Sequence, residues 1–421
     1  MKGARNPKDH SETFTLKADE ELRIALTKDE VVAVELISGF AEIFGFQLQK
    51  ETRYVYENEA ALGIFTFHGA EILLTGKMSI PPEICKDTPM ILYLQVHAVL
   101  EELRQKQEEK SKAKSGLRGP NVMVVGPTDT GKSTFCRILL NYAVRMGRAP
   151  IFVDLDVGQG NISVPGSIGA VLVRNQVDLN DSFECESPLV HSFGHKSPGQ
   201  NVELINWYIS QLSETLRDRK KGQSGADGMV INTCGWIKGQ GYDHLTHIAQ
   251  AFEADVIIVL DEERLYSELE RDLPQFVKVI WLPRSSGVTK RPVHLRSEAR
   301  QRRIEAYFFG RQRQIKPFFL DLKFSALRDR IYRVGDHWMD KEKQPMFKID
   351  PVKLNEDLQN HLLAVSFAVK PDDLTRCNVA GFLCVTKVDV GKEKMTVMSP
   401  QPLPLPEGLL ILSDIKYEQN W

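Results

Sequence analysis

The stretch Gly126-Pro127-Thr128-Asp129-Thr130-Gly131-Lys132-Ser133-Thr134 decides how this chain is read. Its pattern, G-x-x-x-x-G-K-[ST], follows the apolar run Val122-Met123-Val124-Val125 and opens a helical run, Phe135-Cys136-Arg137-Ile138-Leu139-Leu140. Strand, glycine-rich loop and helix in that order are the context a phosphate-binding loop requires. The glycines let successive backbone N–H groups curl round an anion, and the helix N-terminus adds a dipole of the right sign. Lys132 can reach the β- and γ-phosphates of a nucleotide, and the Ser133 hydroxyl can ligate Mg²⁺. The stretch predicts a nucleoside triphosphate site.

Working outward, residues 119–315 alternate strand and helix patterns. Five apolar runs, at 122–125, 150–155, 229–233, 254–260 and 278–282, are separated by helical patterns at 131–146, 201–217, 241–253 and 262–272. Such alternation predicts an α/β domain with a parallel sheet, helices on both faces and ligands at the carboxyl ends of the strands. Before it, residues 1–105 hold short alternating runs punctuated by Gly39, Gly45, Gly63, Gly69 and Gly76, then a helix from Met90 to about Glu109. The short runs read as a small antiparallel sandwich or barrel. A charged stretch over 106–116 reads as a linker or a frayed helix end. Residues 316–421 return to β-type runs such as Gly381-Phe382-Leu383-Cys384-Val385-Thr386, a β-rich third part.

A length of 421 residues predicts two or three domains, and 42% hydrophobic with 26% charged residues is ordinary for a soluble globular protein. A net charge of −2 leaves any nucleic-acid site to a local basic patch. No run is long enough for a membrane span, and Met1-Lys2-Gly3-Ala4-Arg5-Asn6 has no hydrophobic signal core. Six cysteines without a C-x-x-C pair suit a reducing compartment.

Three further constellations carry chemistry. Asp154 and Asp156, in Phe152-Val153-Asp154-Leu155-Asp156-Val157-Gly158-Gln159-Gly160, leave a strand expected beside the P-loop strand. A carboxylate there can hold a metal-bound water or accept a proton from an attacking hydroxyl, whereas Asp156 could simply cap the next turn. Ile231-Asn232-Thr233-Cys234-Gly235-Trp236 ends another strand. There Trp236 can stack on a nucleobase or fill the space between sheet and helix. Residues 284–313 carry nine Lys/Arg against two acids, and Arg296, Arg300 and Arg303 fall on one face of a helix started by Pro292. That face can close over a triphosphate, touch a nucleic-acid backbone or remain solvated.

Weaker signals are Thr386-Lys387-Val388-Asp389, a guanine-reading look-alike far from the P-loop, and His244 with His247, which lack partners at metal spacing. The loop from Phe193 to Asn201 reads as a second anion clamp or an ordinary helix entry.

Gly-Pro-Thr-Asp-Thr-Gly-Lys-Ser-Thr at 126–134, Asp-Leu-Asp-Val-Gly-Gln-Gly at 154–160, Asn-Thr-Cys-Gly-Trp at 232–236 and Ser-Gly-Phe-Ala-Glu-Ile-Phe-Gly at 38–45 together resemble the polynucleotide 5′-hydroxyl-kinase family. The match is closest to its members in the pre-mRNA 3′-end cleavage and tRNA-splicing endonuclease complexes. The resemblance implies a central P-loop kinase domain between an N-terminal β-sandwich-like domain and a small C-terminal β-rich domain. It implies ATP and Mg²⁺, transfer to the 5′-hydroxyl of RNA with DNA left open, subunits of those two complexes as partners, and a nuclear location. Asp129, Thr130, Gly131, Lys132, Ser133 and Thr134 would cradle the phosphates, and Glu21 would read the adenine. Asp154 would activate the hydroxyl and, with Ser133, serve the metal. Arg291, Arg296 and Arg300 would be the lid arginines, and Gln159, Thr233 and Trp236 would hold the RNA end. Ala61 stands where the family can place a nucleotide-contacting lysine. The alternative implied by the family is an ATP-binding scaffold that transfers no phosphate.

Overall fold

The computed structural model describes residues 10–57, 60–111, 118–179, 183, 187–220, 227–311, 313–339 and 345–418. The first residues, and most of the linker after residue 111, lie outside that set.

The N-terminal strands are β1 (Ser11–Leu16), β2 (Glu20–Ala25), β3 (Val31–Gly39), β4 (Glu42–Ile43), β5 (Phe46–Gln47), β6 (Arg53–Glu57), β7 (Ala61–Thr66), β8 (Ala70–Thr75) and β9 (Glu83–Cys85). They form a four-stranded sheet, β1-β8-β3-β6, and a five-stranded sheet, β5-β4-β7-β2-β9. The period-2 alternation turns Leu22, Ile24, Val32, Val34, Ile64, Ile72 and Leu74 into one shared core.

Helix α1 (Met90–Ser111) follows. The central elements are then β10 (Asn121–Val125), α2 (Lys132–Arg145), β11 (Ile151–Asp154), β12 (Ser167–Leu172), β13 (Leu189–Ser192), α3 (Val202–Lys220), β14 (Met229–Asn232), α4 (Gln240–Ala251), β15 (Val256–Leu260), α5 (Glu263–Asp272), β16 (Lys278–Leu282) and α6 (Val293–Phe309). The sheet order is β13-β12-β11-β14-β10-β15-β16. The five strands expected from sequence are mutually parallel. Beyond these five, β12 and β13 extend the sheet at one edge and run antiparallel. These short strands carry Gly169 and Ser192 and lie among loop-like residues, so no helix separated them for a sequence reading to find.

Both faces of this sheet are covered, which is why its strands read as continuous apolar runs. Val122 and Val124 face Phe135, Leu139, Tyr93 and Leu100 of α1 and α2. Met123 and Val125 face the other way, toward Leu204, Ile205, Leu245 and Ile248 of α3 and α4. Each such side chain stabilises the fold by about 1.5–3 kcal/mol when fully buried.

The last part contains β17 (Phe318–Lys323), α7 (Phe324–Leu327), β18 (Ile331–Met339), β19 (Pro345–Pro351), β20 (His361–Ser366), β21 (Val379–Asp389), β22 (Lys394–Ser399) and β23 (Leu410–Lys416). They make one seven-stranded sheet, β17-β22-β21-β20-β23-β18-β19. Leu362, Ala364, Phe382 and Ile411 of this sheet belong to the same core as α3 and α4. The third part is therefore welded to the central one.

Candidate active site

Strand β10 delivers the chain to Gly126 at φ 146°, where an added Cβ would lie 2.5 Å from the Leu260 carbonyl oxygen of β15. Only glycine lets the loop leave the sheet this closely. Asp129 adopts φ 59°, Gly131 stands at φ 89° as the N-cap of α2, and Lys132 begins the helix with Ser133 and Thr134 in its first turn. The unpaired N–H groups of that turn face the loop, an anion cradle by construction. Thr130 Oγ1 donates to the Pro127 carbonyl at 3.0 Å. Lys132 is buried, its Nζ donating to the carbonyls of Gly126 (2.9 Å) and Pro127 (2.6 Å). Burial pulls its pKa below the ordinary lysine value, although Asp156 opposes the shift.

Three adjacent strands end level with one another: Val124 of β10 pairs with Asn232 of β14, and Asn232 pairs with Asp154 of β11. Register thus places Asp154 beside the P-loop. Asn232 Nδ2 donates to Ser133 Oγ at 3.3 Å and to Asp154 Oδ1 at 3.0 Å. Asp154 is 2% exposed. Its Oδ1 also accepts from the Asp156 N–H at 3.2 Å, and its Oδ2 accepts from Asn161 N (2.6 Å) and Nδ2 (3.1 Å). Burial, then the nearby Asp156, pushes the Asp154 carboxyl up to about 6 despite these donors. A buried carboxyl poised near neutrality is suited to take a proton. Asp156 does cap the next turn: its Oδ1 accepts from the N–H groups of Gly158 and Gln159, both at 3.0 Å.

Gly235 explains how β14 reaches the site. A Cβ there would lie 2.4 Å from Thr128 Cγ2 and 2.5 Å from Thr128 N, so a glycine is required for β14's end to touch the P-loop. Trp236 follows, half-buried. Its indole lies 3.6 Å from where a Cβ on Gly199 would stand, and 6.0 Å from the His244 ring. The ring packs against Gly241 and His244 of α4, as the space-filling reading expects, and it is only half-buried. Thr233 differs from its expected role. It is fully buried, and its hydroxyl donates to the Val124 carbonyl at 2.8 Å, tying β14 to β10 beneath the site surface.

Helix α6 brings the arginines. Pro292 is its N-cap residue, as its sequence position suggested. The Arg291 N–H donates to Asp129 Oδ2 at 3.0 Å, and Arg296 Nη2 donates to the same oxygen at 2.6 Å. Burial works against ionisation of Asp129, but these donors hold its carboxyl below the usual range. Asp129 therefore spends its side chain on the arginine helix rather than on the loop's interior. Arg303 points elsewhere, donating to the carbonyls of Asn161 and Ser163. Arg300 has no hydrogen bond or ion pair to the described residues; burial, then Arg296, lowers its pKa. Gln159 Nε2 donates to the Arg296 carbonyl at 3.2 Å, joining the acidic loop to the helix.

Glu21 of β2 is buried against Gly63, salt-bridged to Arg23 at 3.0 Å and hydrogen-bonded to Thr88. Arg23 donates to Ser286 Oγ at 3.0 Å, next to the loop whose Val288 lies 3.2 Å from a Cβ on Gly131. The N-terminal domain thus abuts the P-loop's flank through Arg23, with Glu21 behind it. Ala61 begins β7, paired with Ala25. Thr386-Lys387-Val388-Asp389 lies in β21 of the C-terminal sheet, where Thr386 donates to the Thr396 carbonyl at 3.1 Å, far from any nucleotide role. His244 and His247 are tied to Asn206 of α3 at 2.6 Å and 3.0 Å.

Sequence reasoning passed over Asn232 and Asn161. Asn232 is a polar residue ending a wholly apolar strand, and that was its one local signal; Asn161 directly follows the glycine-rich acidic turn.

Family models match the chain in three consecutive pieces. Residues 126–310 match "mRNA cleavage and polyadenylation factor CLP1 P-loop", residues 315–419 match "Pre-mRNA cleavage complex II protein Clp1", and residues 15–107 match "N-terminal beta-sandwich domain of polyadenylation factor". The chain is 43% identical over 415 residues to the polyribonucleotide 5′-hydroxyl-kinase Clp1 of Gallus gallus, covering 96% of each. It is 42% identical over 425 residues to the protein of the same name in Homo sapiens, covering 98% of each. It is 44% identical to the CLP1 homolog protein of Anopheles gambiae, covering 96% of each. The fold is similar to that of one chain in a solved wild-type Clp1p–Pcf11p (454–563) complex, with a TM-score of 0.84 at 22% identity over 98% of this chain and 100% of that one.

Proposed function

The chain belongs to the Clp1 family of mRNA cleavage and polyadenylation factors, and from that premise we propose that it is an ATP-dependent kinase of polynucleotide 5′-hydroxyl ends, acting on RNA in mRNA processing. The observation that carries the reading is the placement of Asp154: buried, raised to about 6, and bridged to Ser133 through Asn232. A P-loop alone would suit any ATP-binding protein; a proton acceptor at its mouth beside a half-open indole suits transfer to a nucleic-acid hydroxyl.

In the reaction, the 5′-oxygen forms a bond to the γ-phosphorus while the bond from that phosphorus to the bridging oxygen breaks, its electron pair leaving with ADP. The hydroxyl proton passes to Asp154. Lys132 and the α2 N-terminus hold the phosphates, and Arg291, Arg296 and Arg300 neutralise charge on the moving group. Asn232 and Asn161 occupy the Asp154 oxygens, so their amides must turn aside for a substrate hydroxyl to approach. Ser133 Oγ and the Asp154 carboxylate converge on a single amide, a pair of hard oxygens that fits Mg²⁺. Bound there, the ion would supply charge neutralisation at the phosphates.

The family descriptions support a place in the mRNA cleavage machinery; the finer reading, a nuclear protein that also joins subunits of a tRNA-splicing endonuclease complex, rests on the resemblance of its motifs. The test of the activity is transfer of labelled γ-phosphate from ATP to a short 5′-hydroxyl RNA. Label is expected with wild type and not with Lys132→Ala. ATP binding without any labelled RNA would instead establish a scaffold subunit.

A further inference from the structure

Beyond the terminal-nucleotide site, the loop from Phe193 to Asn201 forms a wall that the catalytic scheme leaves unused. Its Lys196 carbonyl lies 3.1 Å from where a Cβ on Gly158 would stand, and its Gly199 borders the Trp236 indole. The loop therefore spans the distance from the acidic turn to the stacking ring. It is held firmly by the C-terminal domain. The Gly194 carbonyl accepts from the Asp414 N–H at 2.9 Å and from Ser413 Oγ at 3.1 Å, and His195 Nδ1 lies 2.8 Å from Asp414 Oδ2.

On this wall Lys196 is exposed, three residues before the Gly199 that borders the indole, and Lys238 is exposed two residues beyond Trp236. Neither ammonium makes a hydrogen bond or ion pair with the described residues. The arginines near the cleft are taken up elsewhere: Arg303 holds backbone carbonyls, and Arg291, Arg296 and Arg300 serve the transferring phosphoryl group in the reading above. Two uncommitted cations close to a stacking ring, one on the loop that borders it and one on the turn that follows it, are what a single-stranded backbone needs as it leaves a stacked base.

We propose that Lys196 and Lys238 form a phosphate track beside Trp236, contacting the backbone 3′ of the terminal nucleotide and so selecting a chain over a minimal acceptor. This rests on the kinase reading above and names the length class of its substrate.

The experiment compares wild type, Lys196→Ala, Lys238→Ala, the double variant and the Lys→Arg pair, with a 5′-hydroxyl decanucleotide RNA and a 5′-hydroxyl dinucleotide. Binding of fluorescent decanucleotide is followed by anisotropy across a salt series, and phosphate transfer is followed separately. Each lost contact should flatten the slope of log affinity against log salt by about 0.7 and weaken decanucleotide binding about fivefold at ~0.1 M salt. The advantage in kcat/KM of decanucleotide over dinucleotide should shrink, the KM for ATP should hold its wild-type value, and arginine should restore the slope. A wild-type slope in the double variant overturns the proposal, as does an equal loss for both RNAs and ATP, which marks a displaced loop. Wild type that binds RNA without labelling it overturns the kinase reading alone, since the salt slope still decides the lysines.

Discussion

Asp154 and Lys132 show at the residue scale how burial converts ordinary side chains into reagents. Burial pushes the Asp154 carboxyl up to about 6, so below that pH it carries its proton and can neither accept another nor hold Mg²⁺. Phosphate transfer should therefore fall about tenfold per pH unit below ~6 and level off above it. A pH profile of single-turnover rates checks this, and a flat profile from 4.5 to 7 would remove Asp154 as the base. Asp154→Asn should abolish transfer while leaving ATP affinity close to wild type, measurable by calorimetry. Trp236→Ala should raise the KM for RNA and spare ATP binding, the loss corresponding to about 1–3 kcal/mol for one stacked base. Equal damage to both would make the ring purely a packing element against Gly241 and His244. The type and spacing of Lys132, Asp154 and Trp236 were legible in the sequence, because each follows an apolar strand. The burial of Thr233 was not legible, since nothing local to Asn232-Thr233-Cys234 says which hydroxyl the neighbouring strand will claim.

Helix α6 divides, at the element scale, into a bound half and a tethered half. Its C-terminal part is anchored by buried Ile304 and Phe308, and by Tyr307, whose hydroxyl accepts from the Phe382 N–H at 2.9 Å. Its N-terminal part is largely exposed and is held to the P-loop by Arg291 and Arg296 on Asp129. Asp129→Ala should release that half alone. Hydrogen exchange is expected to speed up over residues 293–298 and to hold at the wild-type rate over 304–309. Uniform acceleration along the helix would show that Asp129 supports the fold instead. The helical period and the run of arginines were readable from the sequence. Their separate partners were not, because one face of a helix can meet several neighbours along its length.

For the whole molecule, the three domains share cores rather than linkers. Tyr142 and Arg145 of α2 both reach Glu42 of the N-terminal domain, which is 3% exposed. Arg145→Ala leaves that carboxylate buried with only the tyrosine, and should cost about 2–4 kcal/mol. A denaturant titration would register the loss, and an unchanged midpoint would show that the pair contributes nothing. The sequence by itself determined the P-loop, the alternating central domain, its β-rich flanks and the residue types of the site, because those follow from local periodicity and from the needs of phosphate binding. Only the tertiary structure decided the antiparallel edge at β12 and β13, the bridge from Ser133 through Asn232 to Asp154, and the capture of Arg291 and Arg296 by Asp129. These depend on strand register and on approach between segments remote in sequence, and no window of neighbouring residues encodes such distances.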